Sequence, residues 1–206
     1  MAIIQEKPFL EILLTDLSKK NFSKVIICVG YMSEKIIDHF GDHYKDLDID
    51  YSIEKDPLGT GGAIKRGLEK CSQDFIYVLN GDSFLEIPEK TFNKNLKFRK
   101  EITIVARRVD NCNRYGRITE KNSEIINFEY NKDISGPGLI SAGVYILPKN
   151  LLSSYKKNTV FSFETECLPE IINNNKVMVF ESLDYFIDIG IPKDYLKAKI
   201  DLKRFI

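Results

Sequence analysis

A chain of 206 residues with thirty basic and thirty acidic side chains, and no long run of either sign, has the size of one domain with a sizeable core. It lacks the basic face that nucleic-acid binding or a polybasic membrane anchor requires, and no apolar stretch approaches the length of a membrane span. The first residues carry no signal-peptide pattern, and Cys28, Cys71, Cys112 and Cys167 are scattered with no Cys-x-x-Cys pair, a usage that fits a reducing cytoplasm.

Phe9, Leu10, Leu13, Leu14 and Leu17 recur at helical spacing, with Pro8 acceptable in the first turn. The continuous apolar run at 24–30 predicts a strand buried on both faces, and Ser33 is placed to cap a helix through Phe40. A strand over 50–54 and a helix over 62–71 follow. The run at 74–80 is the clearest buried strand and leads straight into Gly81-Asp82. Further strands are expected at 101–108, 124–130, 142–147 and 176–181. Ser162 caps a helix reaching Asn173, and Pro192 opens a last helix whose apolar positions belong to the core. Strand alternating with helix predicts an α/β fold: one domain over 1–206, built on a doubly wound, mostly parallel, Rossmann-like sheet. There is no internal repeat and no linker.

Ligands of such a sheet sit at the carboxyl ends of its strands. There, Asp56-Pro-Leu-Gly-Thr-Gly-Gly-Ala-Ile-Lys65 places three glycines between an extended run and an amphipathic one. Bare backbone lets main-chain N–H groups approach a flat or anionic ligand. No Lys-Ser/Thr follows, so this is not a Walker loop, and the spacing is not Gly-x-Gly-x-x-Gly. Two readings remain open: a base or sugar held by backbone contacts, or a tight strand-to-helix connection. Asp82, in Asn80-Gly81-Asp82-Ser83, puts a carboxylate at the end of an apolar strand, and Asp188 ends a second apolar run before Gly190 and Pro192. Each alone suits a cap or a turn. As a pair, with the glycine loop, they suit a hard divalent cation with positions left open for phosphate.

These residues carry a resemblance to the sugar-1-phosphate nucleotidyltransferases, in the branch with mannose- and heptose-1-phosphate guanylyltransferases, and it runs essentially end to end. Lys7-Pro8-Phe9-Leu10-Glu11 resembles the start of that family's first helix, Glu54 to Ala63 its base-binding loop, and Asn80-Gly81-Asp82 its metal-binding turn. Gly138 to Gly143 resembles the sugar-binding strand, and Phe186-Ile-Asp188-Ile-Gly190 the second metal site. The resemblance implies attack by a sugar-1-phosphate oxygen on the α-phosphate of a nucleoside triphosphate, giving a nucleotide-sugar for cell-surface polysaccharide precursors and releasing pyrophosphate. Asp82 and Asp188 would be the catalytic, Mg²⁺-holding pair. Leu58, Gly59, Thr60, Gly61 and Gly62 would frame the base. Glu54 can accept from both guanine donors, N1–H and N2–H₂, which favours guanine by ~1–3 kcal/mol, or it is an exposed strand end. Gly143 would leave room for the sugar ring, and Gly116, in a turn similar to the family's Arg-Tyr-Gly, would pass close to it. Glu164 either reaches a sugar hydroxyl or complements a helix dipole, the second being favoured.

Two departures from the family pattern stand out. The family's Phe-x-Glu-Lys run, whose Glu binds sugar hydroxyls and whose Lys binds the sugar phosphate, corresponds here to Phe128-Glu129-Tyr130-Asn131-Lys132. Glu129 and Lys132 are the candidates for those roles, subject to strand alternation. Members also begin with a strand, a Gly-Gly-x-Gly-Thr-Arg loop around the triphosphate and a catalytic lysine, whereas Met1 to Pro8 resembles the segment just after that lysine. The resemblance thus implies a central strand missing from these residues, with each orphaned neighbouring group costing ~1–3 kcal/mol. It also implies turnover slowed by ~10²–10³ for each lost charge-stabilising group. The alternative to an enzyme is a catalytically inactive nucleotide-sugar-binding relative or regulatory subunit. Retention of both Asp82 and Asp188 favours the enzyme. A homo-oligomer is one way for so short a chain to complete its sheet. His39 and His43, four apart, are not expected on one helix, because Gly41 lies between them.

Overall fold

A computed structural model describes residues 1–130 and 134–206. The chain opens with a hairpin of β1 (Ile3–Ile4) and β2 (Lys7–Pro8) that leads into α1 (Phe9–Lys19). Pro8 precedes the helix, where its missing N–H costs nothing, and Phe9, Ile12, Leu13, Leu14 and Leu17 form the buried stripe. β3 (Lys24–Val29), α2 (Ser33–Phe40), β4 (His43–Tyr44) and β5 (Leu47–Ile53) come next. β3 and β5 are parallel, and β4 folds back antiparallel on β5. Leu14 and Leu17 of α1 pack on Ile27, Val29, Leu47 and Ile49 of this small sheet. α2 ends at Phe40, so His39 and His43 do not share a helix.

α3 (Gly59–Lys70) leads to β6 (Phe75–Leu79) and β7 (Ser83–Leu85), and α4 (Glu89–Asn95) packs Phe92 beneath them. Beyond it lie β8 (Thr103–Val109), β9 (Arg117–Lys121), β10 (Glu124–Glu129) and β11 (Gly138–Pro148). The chain then passes a wide turn at Phe163–Cys167, α5 (Leu168–Asn174), β12 (Met178–Glu181), β13 (Phe186–Asp188) and α6 (Pro192–Asp201). Six strands form the main sheet in the order β6-β11-β8-β12-β10-β9, and β7 and β13 form a separate ladder.

The α/β class holds, but strand directions are mixed rather than mostly parallel. In the main sheet β8 and β12 run parallel, while β11 is antiparallel to β6, β8 and β9. The physical reason lies between β8 and β11, where the chain makes the β9–β10 hairpin instead of a helical crossover. It therefore returns beside β8 in the opposite sense.

Among the described strands β3 pairs with β5 alone, and β6 with β11 alone. Residues along the length of both line one cavity together with Leu10, Leu13, Leu14 and Leu17. The gap expected in the sheet falls there. It also explains why every residue of β6, the clearest buried strand by sequence, is only half-buried. Phe22 packs against the core clusters of both sheets and lies 5.3 Å from Tyr77 and 5.4 Å from Phe92 of α4 between ring centroids.

Candidate active site

The cavity, about 810 Å³, continues from that apolar arm to a polar end lined by Thr60, Asp82, Arg114, Ser141, Glu164 and Asp188, among others. Its volume lies in the range of small-molecule sites. The β7–β13 ladder builds the polar end. Its register sets Asp188 opposite Ser83, and the N–H of Ile189 donates to the Asp82 carbonyl at 2.8 Å. Asp82 and Asp188, 106 positions apart in sequence, are thereby fixed at one end of a single ladder.

Their environments differ. The Asp82 carboxyl opens to the cleft but is ringed by protein, and that desolvation, then the like charge of Asp188, push its pKa above the ordinary carboxylate value. Asp188 is better held. Its Oδ1 accepts from the Gly190 N–H at 2.6 Å and from the Arg114 guanidinium at 3.2 Å. Arg114 also pairs with Asp194 at the start of α6 and lies over the Tyr115 ring, 5.3 Å from its centroid. Burial, with Asp188 close by, raises the Tyr115 hydroxyl to about 12. Among the described residues no group of three or more His, Cys, Asp or Glu could hold a metal. The fit is therefore a two-carboxylate one: hard oxygen donors, one of them disfavoured in its charged form by burial and by its neighbour's like charge, with further positions open to phosphate oxygens or water.

Gly143 secures the Asp82 turn. It has φ +71° at the irregular rung between Ser141 and Val144, and its carbonyl accepts from the Asn80 N–H at 2.8 Å. A Cβ there would stand 2.4 Å from Ser83 Oγ and 3.0 Å from Asn80 Cβ. The space that a side chain would take is thus occupied by the 80–83 turn, and Gly143 faces the cavity only beside it. Gly116 also lines the cavity, and its bare Cα is needed because an added Cβ would lie 2.1 Å from the Phe128 ring.

The glycine loop has a physical explanation that its sequence conceals. The segment 159–163 zips onto it. Phe161 N–H donates to the Leu58 carbonyl and Gly61 N–H to the Phe161 carbonyl, both at 3.0 Å, while Thr60 Oγ1 accepts from Phe163 N–H at 2.9 Å. Added Cβ atoms would stand 2.5 Å from the Phe161 carbonyl oxygen at Gly59, 2.2 Å from the Phe161 ring at Gly61, and 2.9 Å from the Thr159 carbonyl oxygen at Gly62. Glu54 Oε2 accepts from the Leu58 N–H at 3.0 Å, closing the loop from the other side, and Lys65 pairs with Glu69 at 2.9 Å. Thr60 reaches the cavity; Glu54, Leu58, Gly59, Gly61 and Gly62 are not among its lining residues.

Glu129 is likewise outside the lining. Alternation along β10 turns Phe128 to the cavity and leaves Glu129 exposed beside Asn127, whose Nδ2 donates to it at 3.0 Å. Lys132 lies outside the described residues. Glu164, by contrast, is at the cavity, and Tyr145 OH donates to its Oε1 at 2.7 Å. The cap of the 163–167 turn is completed by Glu166, whose Oε1 accepts from Ser162 N–H at 2.8 Å, and by Ser162 Oγ, which accepts from Thr165 N–H at 3.2 Å. Glu164 and Glu166 both lie in the first turn, where the dipole reading places an acidic residue, and Glu166 makes the capping hydrogen bond. Sequence reasoning missed Tyr145 and the double carboxylate pairing of Arg114; no local spacing signals either.

Comparison with known proteins supplies the family. Residues 1–204 match the nucleotidyl transferase family model, and the chain belongs to that family. It is 38% identical over 207 residues to a D-glycero-α-D-manno-heptose 1-phosphate guanylyltransferase of Aneurinibacillus thermoaerophilus, spanning 100% of this chain and 90% of that protein. A protein of the same description from Campylobacter jejuni is 39% identical over 196 residues, covering 95% of this chain and 86% of its own length. The crystal structure of HddC from Yersinia pseudotuberculosis complexed with GMP-PN superposes with a TM-score of 0.83 at 34% identity, over 97% of this chain and 87% of that one.

Proposed function

We propose that the protein transfers a guanylyl group from GTP to a sugar 1-phosphate of the manno series, heptose or mannose, forming a GDP-sugar and pyrophosphate. The observation that carries this reading is the pairing of Asp82 with Asp188 at the mouth of a cavity, in a chain matched by the family over nearly its whole length. The relatives named for heptose 1-phosphate and the neighbour with a guanine nucleotide analogue support the choice of substrates. In the reaction a sugar-1-phosphate oxygen forms a bond to the α-phosphorus, the bond from that phosphorus to the bridging oxygen breaks, and pyrophosphate leaves. The phosphate oxygen is already ionised, so no general base is needed, and catalysis rests on positioning and charge neutralisation.

Asp82 and Asp188 would hold Mg²⁺, which neutralises charge on the phosphates of both substrates. Arg114 keeps Asp188 oriented through its second bond to Asp194. Thr60 would face the nucleotide, and Glu54 braces the loop behind it at Leu58. Gly116, Gly143 and Ser141 would border the sugar. The test is Mg²⁺-dependent pyrophosphate release from GTP plus sugar 1-phosphate. Wild-type protein turns over and Asp82→Ala does not. Turnover that survives Asp82→Ala removes the metal assignment, and tight GDP-sugar binding without turnover supports an inactive binding relative.

A further inference from the structure

We propose that Tyr145 is a positioning residue that presents the Glu164 carboxylate to the hydroxyls of the sugar 1-phosphate, making Glu164 a specificity determinant at the sugar end of the cavity. The inference rests on the guanylyltransferase reading above and adds the group that reads the sugar.

A chain of donors runs in one direction through β11. Gly143 N–H donates to Ser141 Oγ at 3.2 Å, Ser141 Oγ donates to Tyr145 OH at 3.0 Å, and Tyr145 OH donates to Glu164 Oε1 at 2.7 Å. Tyr145 is 1% exposed. Its ring meets Phe163 edge-on at 5.1 Å, so neither ring nor hydroxyl is free to turn. The main chain next to Glu164 is tied from the opposite side by Phe163 N–H on Thr60 Oγ1. Glu166 and Ser162 cap the turn, which leaves Glu164 with no capping duty. Its Oε2 makes no hydrogen bond among the described residues.

The chemistry then selects the ligand group. A carboxylate only accepts, so its ligand must bring donors. Phosphates are anionic acceptors and are excluded beside it. Three ligand groups carry donors: guanine, the ribose of GTP and the sugar. Glu164 is joined through Tyr145 and Ser141 to Gly143, whose carbonyl holds the Asp82 turn, and this ties it to the reacting end where the sugar 1-phosphate must sit. A buried tyrosine that fixes one carboxylate oxygen leaves the other pre-oriented, which lowers the ordering cost of a sugar hydroxyl bond.

The experiment is steady-state kinetics on the full chain with D-glycero-α-D-manno-heptose 1-phosphate and mannose 1-phosphate, comparing wild type, Tyr145→Phe, Glu164→Gln and the double variant. Tyr145→Phe should raise the sugar-phosphate KM roughly 5–10-fold, the size of one ordinary hydrogen bond, because the carboxylate remains but is no longer held, with the KM for GTP within twofold. The double variant should be no worse than Glu164→Gln, because Tyr145 acts only through that carboxylate. Glu164 is half-buried and its amide variant leaves the core intact, so the test survives a folding defect in Tyr145→Phe. A sugar-phosphate KM unchanged in both single variants, a parallel rise for GTP, or multiplying effects in the double variant would overturn the proposal. Should wild type show no turnover, the function reading fails on its own. Calorimetric titration of GDP-mannose and of GDP onto the same four proteins then decides the inference: weaker GDP-mannose binding in both single variants with GDP binding unchanged upholds it, and equal GDP-mannose binding or an equal loss for GDP overturns it.

Discussion

Replacing Gly143 by Ala tests how the fold holds the turn that carries Asp82. Two costs arise. A residue with a Cβ at φ +71° pays about 1–2 kcal/mol for the left-handed conformation. The same Cβ stands 2.4 Å from Ser83 Oγ and 3.0 Å from Asn80, contacts that force the 80–83 turn to move at an overpacking cost of about 1–3 kcal/mol. Together these come to about 2–5 kcal/mol, against a total stability on the order of 5–15 kcal/mol. For a chain of this size that lowers Tm by roughly 4–20 °C. Gly81→Ala is the control, because nothing lies within 4 Å of its added Cβ and its φ is not positive. The assay is thermal unfolding followed by circular dichroism, with Mg²⁺-dependent turnover measured in parallel. Gly143→Ala should lose stability and turnover together while Gly81→Ala keeps its stability. A Gly143→Ala protein as stable as wild type would refute the claim that this glycine is reserved for the turn.

The raised pKa of Asp82 carries a signed consequence. Because the fold disfavours its charged form, Asp82 costs stability at pH values above its folded pKa, and the cost disappears as pH falls below the ordinary carboxylate value. Asp82→Asn should therefore melt higher than wild type at pH 7 without metal and equally near pH 3. A variant no more stable at pH 7 would remove the claim that burial and the neighbouring Asp188 disfavour the charged carboxylate. For the same reason, Mg²⁺ activation of wild type should weaken, as pH falls, at a higher pH than a normal carboxylate would require. Arg114→Ala should cost roughly 1–3 kcal/mol, as hydrogen bonds to two carboxylates are lost, and should lower kcat. Arg114→Lys should recover only part of either, since one ammonium lacks the fork that spans Asp188 and Asp194. Full recovery by Lys would show that only charge matters there.

How far the sequence spoke for the site depended on the range of each contact. Asp82 and Asp188 could be read as a pair because each ends an apolar run before a turn. Their meeting required the β7–β13 ladder, whose three-residue strands are too short to show alternation. The glycine loop was visible, but its cause was not, since Phe161 lies about a hundred positions downstream of Gly61 and approaches only in the fold. Glu129 and Phe128 are neighbours in sequence on opposite faces, and the choice between them is made by the register of β10 with β9. Glu164 and Glu166 share one turn, and only the tertiary contact with Tyr145 separates the cavity residue from the cap. α4, seven residues with one buried side chain, has no periodic signal to find.

The central claim is tested most directly by product analysis: the protein is incubated with Mg²⁺, GTP and D-glycero-α-D-manno-heptose 1-phosphate, and the mixture is resolved by chromatography with mass detection. The account predicts GDP-heptose and one pyrophosphate per product, with little product when UTP or dTTP replaces GTP. Absence of any nucleotide-sugar, or equal product from all three nucleotides, would contradict it.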